Sequence, residues 1–368
     1  MHANQNGCRR PRWFPVCSLL LAGLLAVVGL TLNRIPGGLT VRAAEPAGVQ
    51  ARRPDSVSGE VPRRVQLCGT VFGVRMQSDG VMVVGLADFR SDGQKVNPAR
   101  EAGMQAGDVI KRVNGRAVYT NRAFADAVKG GGSLTLYVVT AGGDTDRRTV
   151  LPRKSDADDR PHTGMWVRDS AAGIGTLTYL DPETGTFGGL GHGICDCDTQ
   201  AIVPVYGGDI VEAEVTDVRR GVRGAAGELR GYLCGGTLGV IRRNTVCGAF
   251  GSYTAPLPRG REYPVALRQE VRPGRAQVLC TVESGGRPRL YDIEIEKINY
   301  NSREPARNMI VKVTDRELLA ATGGIVQGMS GSPIVQNGRF AGAVTHVFVN
   351  NPACGYAVFA ENMLKAAA

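Results

Sequence analysis

Six consecutive residues, Gly328-Met329-Ser330-Gly331-Ser332-Pro333, carry the strongest chemical signal in this chain. A serine attacks a carbonyl only when that carbonyl comes within about 3 Å of its hydroxyl, which demands small neighbours and backbone N–H groups left free for the developing oxyanion. Glycines on both sides of Ser330 meet the first need, and the amides of Gly328 and Ser330 would meet the second. The same letters also describe an ordinary β-turn between apolar runs. A nucleophile is supported here only if the chain supplies a base and an acid to go with it.

The base comes by elimination among four histidines. His2 precedes an apolar segment, His162 lies in a polar stretch and His346 follows the serine. His192 remains, in Phe187-Gly188-Gly189-Leu190-Gly191-His192-Gly193-Ile194, where flanking glycines leave its ring room to swing. The acid stays open, because Asp196, Asp198, Asp217, Asp292 and Asp315 all lie between His192 and Ser330. Asp315 ends the alternating run Met309-Ile310-Val311-Lys312-Val313-Thr314 and so stands at a strand end, but Thr314-Asp315-Arg316-Glu317 equally reads as the start of a capped helix. The Gly-x-Ser-x-Gly elbow of α/β-hydrolases does not fit, since Ser332 stands at its fifth position. Gly-x-Ser-Gly-x-Pro, with the order His, Asp, Ser, fits the chymotrypsin type.

These residues resemble the stage IV sporulation protein B (SpoIVB) peptidases of endospore-forming bacteria. The resemblance is carried by Gly191-His192-Gly193-Ile194, by Thr314-Asp315 through Leu318, by Thr322-Gly323-Gly324-Ile325-Val326-Gln327-Gly328-Met329-Ser330-Gly331-Ser332-Pro333-Ile334, and by Gly342 to Asn350 with Gly355-Tyr356. It implies a triad of His192, Asp315 and Ser330, and thereby selects the acid. It further implies self-cleavage near the N-terminus and cleavage of another membrane-associated protein, the signal that activates a late mother-cell sigma factor. Cysteines at 195 and 197 depart from the family's histidine loop.

A second resemblance lies upstream. Asn97-Pro98-Ala99, Ala102-Gly103-Met104-Gln105-Ala106-Gly107-Asp108-Val109-Ile110 and Val113-Asn114-Gly115 resemble a PDZ domain. Such a domain captures a peptide or C-terminus as an added strand. Phe72, Gly73 and Val74 would belong to the carboxylate-binding loop, and Phe124 and Val128 to one face of a helix from Asn121 to Lys129. Two rival readings follow: a PDZ scaffold whose peptidase-like part only binds, and an extracytoplasmic protease of general turnover.

The rest of the chain must position these groups. Of 368 residues, 50 are glycine, about twice the usual share, and only 6% are aromatic, which favours short strands and turns over helix bundles. The net charge of +10 comes from arginines scattered without interleaved aromatics, so no nucleic-acid partner is expected. Trp13 to Leu32 is uncharged, mostly apolar and preceded by Arg9, Arg10 and Arg12. It is long enough to cross a hydrocarbon core of about 30 Å with the short N-terminus inside. A cleaved signal peptide ending near Val41-Arg42-Ala43 is the competing reading. Cysteines at 68, 195, 197, 234, 247, 280 and 354 would face a compartment where disulfides form, with no pairing legible. Cys195-x-Cys197 lacks a second Cys/His pair, so neither metal nor cofactor is expected.

The expected architecture is mainly β: a basic N-terminus at 1–12, a membrane segment at 13–32 and a tether at 33–64. A small α+β PDZ domain at 65–152 then precedes a chymotrypsin-like double β-barrel at 160–368. The site lies between the barrels, with Thr345, His346 and Val347 as the strand edge that receives a protein or peptide substrate. The resemblance puts the bulk of this single-pass protein outside the cytoplasm, between forespore and mother cell.

Overall fold

The computed structural model describes residues 63–258 and 260–368. The expected membrane segment and almost all of the expected tether lie outside the described residues. Among those described, no helix is long and apolar enough to cross a membrane. The chain is mainly β, as its glycine-punctuated alternating runs require.

Two rings of antiparallel strands form the body. In the first, Val71–Leu86 pairs with Met165–Asp181, which pairs with Thr186–Gly189, and the sequence continues through Gly248–Tyr253, Glu228–Thr245 and Val205–Arg219. Val205–Arg219 pairs with Val71–Leu86 again, so the strands return on themselves. Inside lie Phe72, Val74, Met76, Phe187, Ile210 and Ile241, supplied by alternate positions of their strands. The second ring is a closed barrel of Gly274–Cys280, Arg289–Ile298, Met309–Val313, Asn351–Phe359, Arg339–Phe348 and Pro333–Gln336. In Arg289–Ile298 the alternation is explicit: Tyr291, Ile293 and Ile295 point into the core while Asp292 and Glu294 face water.

A third cluster joins the rings. Leu67, Tyr179 and Phe250 from the first pack with Val335, Phe340, Ala343 and Val358 from the second, and Met363 of the final helix Ala360–Ala367 seals them. Tyr179, Phe250, Phe340 and Met363 are each at most 1% exposed. Burying side chains of this size stabilises by about 1.5–3 kcal/mol apiece before entropy is counted.

The upstream module corrects the expected order of domains. Val71–Leu86 runs through the first barrel as far as Ser78 and then continues into a separate core of Val81, Val83, Ile110, Phe124, Leu134 and Leu136. Met165–Asp181 brings the chain back, pairing Met165 with Leu86 at one end and Thr176 with Val71 at the other. The module is thus inserted into the first barrel, and Gln66, Leu67 and residues 71–78 pair with that barrel.

The groove residues expected there are corrected too. Gly73 pairs with Ile174 on one side and Val211 on the other, so Phe72, Gly73 and Val74 form a central strand with both edges taken. No edge is left there for an added peptide. Phe124 and Val128, on the Asn121–Lys129 helix capped by Thr120, are buried in the module's own core.

Candidate active site

Ser330 stands on the turn between the helix Arg316–Thr322 and the strand Pro333–Gln336. Met329 N–H donates to Val326 O at 3.1 Å and Gly331 N–H to Val344 O at 2.8 Å. Among the described residues, the amides of Gly328 and Ser330, which precede each of these, have no acceptor. That alternation leaves free the two donors an oxyanion needs. The first barrel holds the turn from outside: Thr176 N–H donates to Ser330 O at 3.0 Å, Thr176 Oγ1 to Gly328 O at 2.8 Å, and Thr178 Oγ1 to Gly331 O at 2.7 Å. Ser330 Oγ–H is itself turned onto the carbonyl of Thr345 at 2.7 Å. Ser332, the other serine of the motif, is fully buried.

His192 hangs from the first barrel just after Thr186–Gly189, on a loop where Leu190 and Gly191 both take left-handed φ values, 70° and 68°. A Cβ on Gly191 would meet Thr345 Cγ2 and Val344 O at 3.1 Å, so glycine lets this loop lie on the second barrel. His192 Nδ1 is 2.8 Å from Gly193 O. A carbonyl only accepts, so Nδ1 carries the proton and Nε2 keeps a free lone pair, the tautomer a general base needs. Burial pushes the imidazole below its usual pKa and the Gly193 carbonyl acts against that shift. His192 and Ser330 line one cavity of about 820 Å³.

The structure does not bring Asp315 to that ring. Its carboxylate accepts from Glu317 N–H at 2.9 Å, Leu318 N–H at 3.1 Å and Asp292 N–H at 3.2 Å, which makes it the N-cap of Arg316–Thr322. Burial pushes this carboxyl up, but the Leu318, Asp292 and Glu317 amides, with Arg289, outweigh it and hold it below its ordinary value. The four other carboxylates are also engaged elsewhere. Arg168 pairs with both Asp196 and Asp198, Asp217 with Arg230, and Asp292 accepts from Gln277. Among the described residues no carboxylate hydrogen-bonds His192, and the Gly193 carbonyl holds the ring instead. The ligand atoms of Asp196, Cys197 and Asp198 lie within 4.8 Å of one another, but the cation among them is the Arg168 guanidinium.

Thr345, His346 and Val347 line the same cavity. Pairing of Arg339–Phe348 with Pro333–Gln336 ends at Ala343, and a last exchange joins Val344 to Gly331 and Ser332. Beyond Val344 this edge has no strand neighbour among the described residues, while its other edge stays paired with Asn351–Phe359. An extended chain can add there. Thr345 takes part through its carbonyl, because its side chain is buried and donates to Ala306 O at 2.9 Å. The cavity walls are mostly apolar, among them Ile174, Leu190, Ile202, Ile325 and Val349, with Arg303, Glu304 and Arg307 also in the lining.

Sequence reasoning missed Thr176 and Gly193, for neither residue type announces itself: one sits in an apolar strand and the other acts through its main chain. It also gave His346 no role in the chemistry. That ring lies with its centroid 4.8 Å from that of His192.

A family model described as SpoIVB peptidase S55 matches residues 159–364, more than half of this 368-residue chain. No curated protein matches. Thirteen chains of solved structure match, among them the crystal structure of Rv3671c from M. tuberculosis H37Rv, a serine-to-alanine mutant in an inactive form. It is 14% identical over 52% of this chain and 79% of that one, with a TM-score of 0.30.

Proposed function

The chain belongs to the SpoIVB peptidase S55 family and is a serine peptidase, and from that premise we propose that it is a membrane-tethered endopeptidase with Ser330 as nucleophile and His192 as base. The supporting observation is the pair of amides, Gly328 and Ser330, left without acceptors on either side of Met329 in the cavity that His192 shares. A substrate strand lies along the edge at Thr345 to Val347. Ser330 Oγ–H leaves the Thr345 carbonyl and gives its proton to His192 Nε2 as the oxygen adds to the scissile carbonyl. The Gly328 and Ser330 amides take the oxyanion, each donor worth about 3 kcal/mol of barrier. His192 passes the proton to the departing amine, the C–N bond breaks, and water releases the acyl group by the same steps in reverse order.

In this reading His192 is oriented by the Gly193 carbonyl, and the triad role that the family resemblance gives Asp315 requires that residue to leave its helix cap. The substrate is a membrane-associated regulatory protein, cut outside the cytoplasm in the sporulation signal that leads to a late mother-cell sigma factor; the chain also cuts itself near its N-terminus. The apolar run at 13–32 supports the tether, and the mostly apolar cavity walls favour a hydrophobic side chain near the cut. Ser330→Ala should abolish self-processing and partner cleavage with an unchanged melting curve. A variant that still cuts itself ends the assignment of the nucleophile. Strong activity of the wild type on casein would point to general turnover.

A further inference from the structure

The Ser330 hydroxyl and the His192 ring are linked by a short path through two adjacent residues. Thr345 receives the Ser330 proton donor through its carbonyl, and the next residue, His346, lays its ring against His192 with centroids 4.8 Å apart and planes tilted by 35°. His346 belongs to the Arg339–Phe348 strand, where it pairs with Tyr356, so its backbone is fixed by the barrel. The base, by contrast, hangs on a loop with two left-handed residues and a single backbone hydrogen bond to its ring.

His346 Nδ1 is buried and has no hydrogen-bond partner among the described residues. A side chain kept for its own hydrogen bonds would not be left so. Burial, the neighbouring His192 and Arg307 push this imidazole down to about 4, so it faces His192 as a neutral ring. A neutral ring can rest against an imidazolium, whereas a charged one would repel it.

We propose that His346 is a positioning residue for this peptidase: its ring, held by the second barrel, packs against His192 and confines the base where no carboxylate among the described residues does so. The stack restricts the swing of the His192 loop before proton transfer and remains in contact with the ring once it is charged. This rests on the Ser330–His192 reading and deepens it.

The test uses the full chain and a fluorophosphonate probe, which acylates an activated serine and needs no known substrate. His346→Ala should lower the maximal rate of labelling about 100-fold, the scale of a misplaced catalytic group, with the half-saturating probe concentration changed by less than about threefold. His346→Phe keeps a ring on His192 and should recover most of that rate with an unchanged or higher melting temperature. His346→Gln, polar but without a ring, should not recover it. Full labelling by folded His346→Ala, or rescue by Gln and not by Phe, overturns the proposal. A wild type that never labels at Ser330 overturns the serine reading itself, and this inference with it.

Discussion

Asp315 is the residue whose role turns on one atom. As an N-cap it needs only an oxygen, which asparagine supplies as well as aspartate; as a triad acid it needs a charge. Because its oxygens are taken by Glu317, Leu318 and Asp292 amides, Asp315→Asn is expected to keep activity within a few-fold. Asp315→Ala should cost about 1 kcal/mol of stability. Steady-state cleavage by the Asn variant is the deciding measurement. A drop of about 10⁴-fold would instead make Asp315 the acid of a rearranged active form. Both roles were visible in Thr314-Asp315-Arg316-Glu317, a strand end and a helix start at once, and composition could not choose between them. The choice depends on which partners reach the oxygens, a matter of distance across the fold.

The Ser330 turn and the histidine loop come from different barrels and meet where neither tolerates a side chain. Gly331 has φ 96°, and a Cβ there would lie 2.2 Å from Thr176 O and 2.5 Å from Leu190 N. Gly331→Ala must push away the strand that clamps the turn and the loop that carries His192. An overpacking cost of about 1–3 kcal/mol is expected. Probe labelling should be lost even in the folded fraction, to be read by thermal melting beside labelling. The strands that carry this contact were legible, because alternation such as Tyr291-Asp292-Ile293-Glu294-Ile295 has one period and one meaning. The small upstream module has a core of its own, but the groove expected there was not legible. Phe72-Gly73-Val74 reads as a peptide loop only until Met165–Asp181 and Val205–Arg219 close on both of its edges.

Acid stability belongs to the whole molecule, because burial of His346 and His192 depends on the two barrels staying together. The folded pKa of His346 is about 4 against an ordinary 6.5, so between these values the unfolded chain binds a proton that the folded one refuses. Stability therefore falls as pH drops through this window and is fully present above it. His192, lowered in the same direction by burial, adds to the trend. Melting temperature measured from pH 7 to pH 4 should decline, and His346→Phe should flatten the decline. An unchanged slope in that variant would show that other groups govern acid unfolding.

The chain's own letters determined the class of chemistry, the β architecture and the family, and pointed to a nucleophile and a base, because each rests on local spacing: a glycine-walled serine, a glycine-flanked histidine, alternating apolar strands. Only the tertiary structure decided how the module joins the first barrel, what Asp315 touches, which amides stay free, and that His346 lies on His192. These depend on pairings between residues as far apart as Val71 and Thr176, or His192 and His346. Such contacts form when two barrels pack face to face, and no local pattern records which side chains that packing brings together.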